Sequence, residues 1–469
     1  MMTRLTTTDE IPRVEDYRAD LTPEEIAAAE VANTRAIALH AYLFAFPAFL
    51  HMRQLTEFVQ GRQYMAPGEN PLCGWFLMRQ LADTTTTTVS PNVDTLYGAT
   101  YVILDQQGPM VLSIPPIPGR YYSVAALDAY FNDFAIISPR TFGNSGGDFL
   151  LVPPRWNGRT PHGIRAILPA PTPIINLFQR IFIRSEVEYA ELHSLQDAIR
   201  LTPLDQWSPE GSDRVAVEYP EADLAPYAIM DMRLTRDPLC FFEFTNYYTG
   251  VNPPPVEDLG LAALFDSAGV GPGSQLPDDP RLREAIALGA ADAQTAMNAR
   301  ISAGPFRNGW TVPDPKIGRP GPHILSRATS QLTQLGAFPN EEAIYFFALR
   351  DRANRRLNGA HSYTLTFGPD QLPPLHQYGF WSLTLYNDAF LLHDNALNRF
   401  ALRPDTPGLV FAADGSLTLK IQAEMPEGAS TDNWLPAPEG DFSVALRTYL
   451  PHRVIQDGTW FPPGLVRGT

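Results

Sequence analysis

The densest run of residues able to do chemistry is Ser90-Pro91-Asn92-Val93-Asp94-Thr95-Leu96-Tyr97-Gly98. Pro91 disfavours helix at Ser90, and Asn92 and Asp94 are Asx-turn formers. The segment is therefore expected to display a carboxylate and an amide at a strand entrance, beside Tyr97. That combination points to acid/base chemistry, with Asp94 as acid or base and Tyr97 and Asn92 as hydrogen-bond donors. The competing expectation is a turn whose side chains satisfy their own backbone. Arg120, at the head of an aromatic run, could clamp a substrate anion bidentately or pair with Asp128, near the end of the same strand. Trp381 belongs to an aromatic-rich C-terminal region with Trp434, Trp460, Tyr386 and Tyr449. It is either a stacking wall for a sugar or aromatic ligand or a core residue. The candidate catalytic pair is thus Asp94 and Tyr97, with Asn92, Arg120, Asp128 and Trp381 as substrate contacts.

Other motifs offer less. Gly143-Asn144-Ser145-Gly146-Gly147 fits G-x-S-x-G, but the apolar run Asp148–Val152 continues as a strand where a nucleophile elbow needs a helix. Neither G-x-G-x-x-G nor G-x-x-x-x-G-K-[ST] occurs, so nucleotide phosphate cradles find no support. Nine histidines are scattered without HxH or HExxH. His40 and His51 could share a helix face, and His361, His376 and His393 could converge with an Asp, but no metal ligand set is assigned and no cofactor is implied. Cys73 and Cys240 have neither CxxC spacing nor a disulfide framework.

The 469 residues suggest about three modules. The 45 prolines and 33 glycines are dispersed without period, which favours a loop-rich, largely β protein over a fibrous one. A net charge of −16 with no basic run argues against nucleic acid. No apolar stretch approaches the ~18 residues of a membrane span, and Met1–Asp20 lacks the apolar core of a secretion signal. A cytoplasmic location is expected, with export left open.

The elements that must position these residues follow from local signals. Thr22-Pro23-Glu24-Glu25 is a capping-box start for a helix over 21–60, which Pro47 is expected to kink or divide. Thr84–Thr88, Leu96–Leu104, Met110–Ile114, Tyr121–Leu127, Phe149–Val152 and Ile174–Ile183 read as strands. Ser185 with Glu188 reads as a second capping box opening a helix to about Leu201. Phe241–Tyr248, Leu261–Ala268, Arg281–Ile301 and Glu341–Arg352 read as helices, and Gly304–Pro322 as irregular. Ser362–Phe367, Phe380–Tyr386, Leu409–Phe411, Leu417–Gln422 and Phe442–Tyr449 read as strands again.

The two β regions repeat each other. Arg120-Tyr121-Tyr122-Ser123-Val124 matches Gly379-Phe380-Trp381-Ser382-Leu383. At the same offset Asp128 falls opposite Asn387, and Phe131 opposite Phe390. Leu168-Pro169-Ala170-Pro171 recurs as Leu435-Pro436-Ala437-Pro438, and an Arg follows at matched spacing in both, Arg180 and Arg447. Each Arg is expected to tie its sheets together. The expected fold is a multi-domain α+β protein built from two related antiparallel β-sandwich modules, jelly-roll-like. Its parts are a helical N-terminal segment (1–83), a first module (84–184), a mainly helical insert (185–352) and a second module (353–469).

These motifs resemble a bacterial family carrying two adjacent regions, domain of unknown function 1254 and domain of unknown function 1214. PNVDTLYG (91–98), GPMVLSIPP (108–116) and RYYSV (120–124) carry the first resemblance. LNGAHSYTLTF (357–367), LPPLHQYGFWSLTLYN (372–387), NWLPAP (433–438) and LRTYLP (446–451) carry the second. The resemblance implies β-rich modules with helical segments, often oligomeric, and no settled reaction or cofactor. The leading expectation is an enzyme acting by hydrolase- or lyase-like acid/base chemistry on a small organic or carbohydrate-like molecule, in a cleft where the modules and helical layer meet. The alternatives are a non-catalytic ligand-binding or scaffold protein and, third, a metal-dependent hydrolase or oxygenase. A small-molecule partner and a homo-oligomer are expected, with neither nucleic acid nor membrane as partner.

Overall fold

The computed structural model describes residues 21–61, 72–209, 217–426 and 431–468; Met1–Asp20, which bears on the expectation about secretion, lies outside them. The chain is a mixed α+β protein with a helical N-terminal segment and several mainly antiparallel sheets.

The first helix, Pro23–Val59, begins with the capping box its sequence announces. Thr22 Oγ1 accepts from the Glu25 N–H, and the Glu25 carboxylate accepts from the Thr22 N–H at 2.8 Å. The helix runs continuously through Pro47. The stretch 41–50 around Pro47 is apolar and almost wholly buried, so packing holds the helix together where a hydrogen bond is lost. It packs against Pro280–Ser302, where Gly289 permits close approach: a Cβ there would meet the Arg35 carbonyl oxygen at 2.5 Å. Helices Pro238–Val251 and Ile324–Thr333 complete this layer.

Two sheets form the N-terminal half. In spatial order the first contains Phe76–Leu77, Thr95–Ile103, Ile174–Phe182, Tyr122–Leu127 and Asp133–Ile137. The second contains Ile164–Pro169, Gly147–Val152, Met110–Ile114 and Arg200–Pro203. Alternate residues of both, such as Val124, Leu177, Leu112 and Phe149, share one core with the helical layer. The C-terminal half also has two sheets. One holds Phe306–Arg307, Trp310–Thr311, Ala343–Ala348, Phe442–Tyr449, Trp381–Asn387 and Ala401–Leu402; the other holds Trp434–Pro436, Leu417–Gln422, Tyr363–Phe367 and Val466–Arg467. Their facing residues, including Phe346, Leu365, Leu383 and Leu419, make a second core. In each half the four-stranded sheet has one parallel pair, Gly147–Val152 with Ile164–Pro169 and Leu417–Gln422 with Trp434–Pro436.

Several local expectations are corrected. Glu341–Arg352 is not helical: Ala343–Ala348 is a strand paired in register with Phe442–Tyr449, because tertiary pairing overrides the helix propensity of Glu and Ala. Thr84–Thr88 forms a turn, not a strand, since the Asp83 side chain accepts from the Thr85 N–H and hydroxyl. Ser185 makes no side-chain cap; a 3-10 turn Glu186–Glu188 precedes the helix Tyr189–Ala198, and Leu201 lies in a strand. Leu409–Phe411 is not a strand. The G-x-S-x-G run joins the short helix Pro139–Phe142 to the strand Gly147–Val152, the reverse of a nucleophile elbow. No helix of the described residues is long and apolar enough to cross a membrane.

Candidate functional site

The Ser90–Tyr97 segment leaves the N-terminal half and seats itself in the C-terminal half. Asn92 Oδ1 accepts from the N–H groups of Asp94 (2.5 Å) and Thr95 (3.0 Å), an Asx turn that fixes the entrance to Thr95–Ile103. Its amide nitrogen donates to the Tyr449 hydroxyl, 2.6 Å away. The Tyr386 hydroxyl donates to the Pro91 carbonyl at 2.8 Å, and Arg447 donates to the Ser90 carbonyl at 3.0 Å.

Asp94 is fully buried. Its Oδ2 accepts from Ser382 Oγ at 2.5 Å; its Oδ1 has no hydrogen-bond partner, with Arg403 3.9 Å away. Burial pushes its pKa up, opposed by Arg403, Arg447 and the Ser382 bond. Tyr97, two residues beyond Thr95, is only partly buried.

The remaining sequence candidates lie elsewhere. Arg120 directs its guanidinium at Glu188 (3.1 Å) and Glu191 (3.0 Å) and at the Phe182 carbonyl, not at Asp94. Asp128 spends its carboxylate on its own turn, accepting from the Tyr130 and Asn132 N–H groups and the Asn132 amide. Trp381 precedes Ser382 in its strand, so alternation turns the indole into the C-terminal core, beside Phe367. The structure thus brings Asn92, Asp94 and Tyr97 together and leaves Arg120, Asp128 and Trp381 apart from them. Among the described residues no group of three or more His, Cys, Asp or Glu is placed to hold a metal ion.

Two groups that the sequence did not single out as functional complete the locality. Arg180 pairs in register with Tyr97 on one side and Ser123 on the other. It is 7% exposed, and its guanidinium carbon lies 4.0 Å from the Phe338 ring centroid and 5.1 Å from that of Tyr97. Among the described residues it forms no ion pair, and its Nε and Nη1 are buried without a protein partner. Both carboxylate oxygens of Asp133, equally buried, are unpartnered too. Burial raises the Asp133 pKa well above the usual carboxylate range, and Arg180 is the foremost charge opposing that rise. Phe338 also lines a cavity of about 10 Å³, room for about one water, with Gln334, Asn340 and Tyr345. The Asn340 Oδ1 is likewise orphaned.

A signal for this locality does exist in the sequence. Pro339-Asn340-Glu341-Glu342-Ala343-Ile344-Tyr345 carries the Pro-Asn-x-acid-x-aliphatic-Tyr pattern of Pro91–Tyr97. Glu342, like Asp94, is fully buried immediately before a strand, and it accepts from Ser138, Tyr121 and Arg140 of the N-terminal half. Tyr345 pairs with Arg447, whose other neighbour is Ser382.

Comparison with known proteins agrees with the motifs. Residues 75–203 match "Protein of unknown function (DUF1254)" and residues 342–453 match "Protein of unknown function (DUF1214)". The chain belongs to the family that pairs these two regions. The Asn92–Tyr97 segment and Arg180 fall in the DUF1254 region, and Glu342, Ser382 and Arg447 in the DUF1214 region, so the seam between them is also the candidate site. The chain is similar in fold to the VPA0106 protein of Vibrio parahaemolyticus, with TM-score 0.70 and 20% identity over 93% of this chain and 100% of that one. A putative uncharacterized protein from Burkholderia cenocepacia aligns at TM-score 0.45 and 12% identity over 94% and 96% of the two chains. No curated protein matches the chain.

Proposed function

We propose that the protein binds a small organic carboxylate where the two β halves meet the segment 334–340, anchored by Arg180, and acts on it by acid/base chemistry through Tyr97. One observation carries this reading: a buried guanidinium without an ion-pair partner, close to a buried carboxylate, Asp133, that is equally unpartnered. An isolated buried charge is costly unless paired. A ligand carboxylate would neutralise Arg180, and a ligand hydroxyl would bond Asp133. Phe338, stacked on the guanidinium, is the side chain such a ligand must displace. Tyr97 supplies a hydroxyl-bearing ring beside the anchor, while Asp94 orients the segment through Ser382.

We read the two halves as copies of one jelly-roll-like sandwich. Supporting this, the order Thr95–Ile103, Ile174–Phe182, Tyr122–Leu127, Asp133–Ile137 parallels Ala343–Ala348, Phe442–Tyr449, Trp381–Asn387, Ala401–Leu402. Asp128 and Asn387 also make the same turn, accepting from the N–H groups two and four residues on, with Phe131 and Phe390 at φ 56° and 60°. In this reading Arg180 and Arg447 are equivalents with different fates. The Arg447 fork is occupied by Thr384 and the Ser90 carbonyl, with Asp94 nearby, whereas Arg180 is left open for a ligand.

A second reading, binding without turnover, is favoured by the sealed position of Asp94. Calorimetric titration with acetate, glycolate, malonate and lactate tests both. At least one should bind saturably, and Arg180→Gln should weaken it about tenfold or more. Equal affinity in that variant, or no binding by any of the four, would refute the site. Conversion of the bound acid, followed by NMR and abolished in Tyr97→Phe with binding retained, selects the enzyme; binding without conversion selects the second reading.

A further inference from the structure

A second cavity, of about 550 Å³, opens in the C-terminal half. That is within the range of roughly 300–1,000 Å³ of small-molecule sites. It lies where the tail 459–466 runs beside the edge strand Phe306–Arg307 and the strand Tyr363–Phe367, and its walls include Arg307, Arg352, Thr366, Gln371, Trp460 and Phe461.

Three features make it a formed receptor. First, the aromatic wall is fixed. The Trp460 indole N–H donates to the Gln371 carbonyl at 3.0 Å, and Trp460 and Phe461 both pack edge-on against Phe346 of the core. With its polar edge occupied, Trp460 has only its faces to offer a ligand. Second, both arginines are anchored in the wall. The Arg307 guanidinium stacks 4.8 Å from the Phe461 ring centroid and donates to the Gly458 carbonyl. Arg352 is tethered by its backbone N–H to the Leu465 carbonyl, and its stem covers Gly464, where a Cβ would lie 2.8 Å from the Arg352 Cβ. Third, the charge is uncompensated. In a chain of net charge −16, this cavity is lined by two arginines and no Asp or Glu, and neither arginine forms an ion pair among the described residues.

We propose that this cavity binds an anion carrying a flat ring, its carboxylate or phosphate between Arg307 and Arg352 and its ring on Trp460. Guanidinium forks match both anions bidentately, and a fixed indole face selects for the ring at low entropic cost. The site is independent of Arg180.

Phenyl phosphate and benzoate, titrated by calorimetry and by quenching of Trp460 fluorescence, test it in the full chain. Both should bind saturably, with phenol and inorganic phosphate each about tenfold weaker or more. Trp460→Phe should remove the quench, Arg307→Gln and Arg352→Gln should each weaken binding about tenfold, and Arg180→Gln should leave it unchanged. Circular dichroism confirms that each variant is folded. Absence of saturable binding, phenol binding as well as phenyl phosphate, or indifference to both arginine substitutions would overturn the proposal. So would a loss in Arg180→Gln equal to that in the arginine variants, which would place the ligand at the seam between the halves instead.

Discussion

His51 sits on the long first helix with one ring nitrogen 2.6 Å from the Tyr248 hydroxyl and the other buried without a partner, edge-on to Tyr101 and Phe131. Burial pushes its pKa from 6.5 to about 3, so the native imidazole is neutral through most of the acid range. Between those two values the unfolded chain binds the extra proton, so stability rises with pH and is lost as pH falls below about 6.5. The contribution approaches about 1.4 kcal/mol per pH unit. Urea unfolding from about pH 7 to about pH 5 should give a stability that falls more steeply in the wild type than in His51→Gln, the difference in slope being the His51 contribution. An identical slope in both would mean the ring is protonated or hydrated in the native state. At this scale Asn92 and Asp94 could be read from the sequence as an Asx turn, because that bond is local. That Asn92 also holds Tyr449, 357 residues later, no local pattern could encode.

Helix starts and strand alternation were accessible where the determinant lies within a few residues. The Thr22 capping box and the strands Met110–Ile114, Leu417–Gln422 and Phe442–Tyr449 emerge with the expected bounds. Where pairing across the fold decides, local reading failed, as with Ala343–Ala348, whose apolar run suits a helix or a buried strand equally. The helix Ile324–Thr333 supplies a test of what holds this layer. Arg327, 2% exposed, donates through two nitrogens to Asp258 at 3.0 Å, and both partners are buried. Arg327→Met should cost about 3–5 kcal/mol in chemical unfolding, because it strands the Asp258 charge, and replacing both partners by apolar residues should recover much of that. A loss below about 1 kcal/mol would mean the pair is effectively solvated.

Across the whole molecule the two halves are joined by reciprocal insertions. Asp94 of the first reaches Ser382 of the second, and Glu342 of the second reaches Ser138 and Tyr121 of the first. Between them the rings of Tyr121, Phe182, Phe380 and Tyr449 close the seam at centroid distances of 4.1 to 5.8 Å. Separating the halves would expose those rings and several buried polar groups at once, so calorimetry should show one cooperative transition. Asn92→Ala, which unpartners the Asp94 and Thr95 N–H groups and removes the amide donor to the Tyr449 hydroxyl, should lower that single Tm by several degrees without splitting it. Two resolved transitions would show that the halves unfold independently.

The sequence alone determined the α+β class, the family, the matched motifs of the two β regions and the Asx turn at Asn92, since each is written in neighbouring residues or in short patterns at regular spacing. Only the tertiary structure decided what those residues face. Arg120, an apparent anion clamp, is occupied by Glu188 and Glu191; Trp381, an apparent stacking wall, lies in a core; and of two matched arginines one is bonded while the other has two guanidinium nitrogens buried without a protein partner. The reason is physical: whether a charged side chain is satisfied depends on groups that folding brings from hundreds of residues away, and no local pattern carries that information.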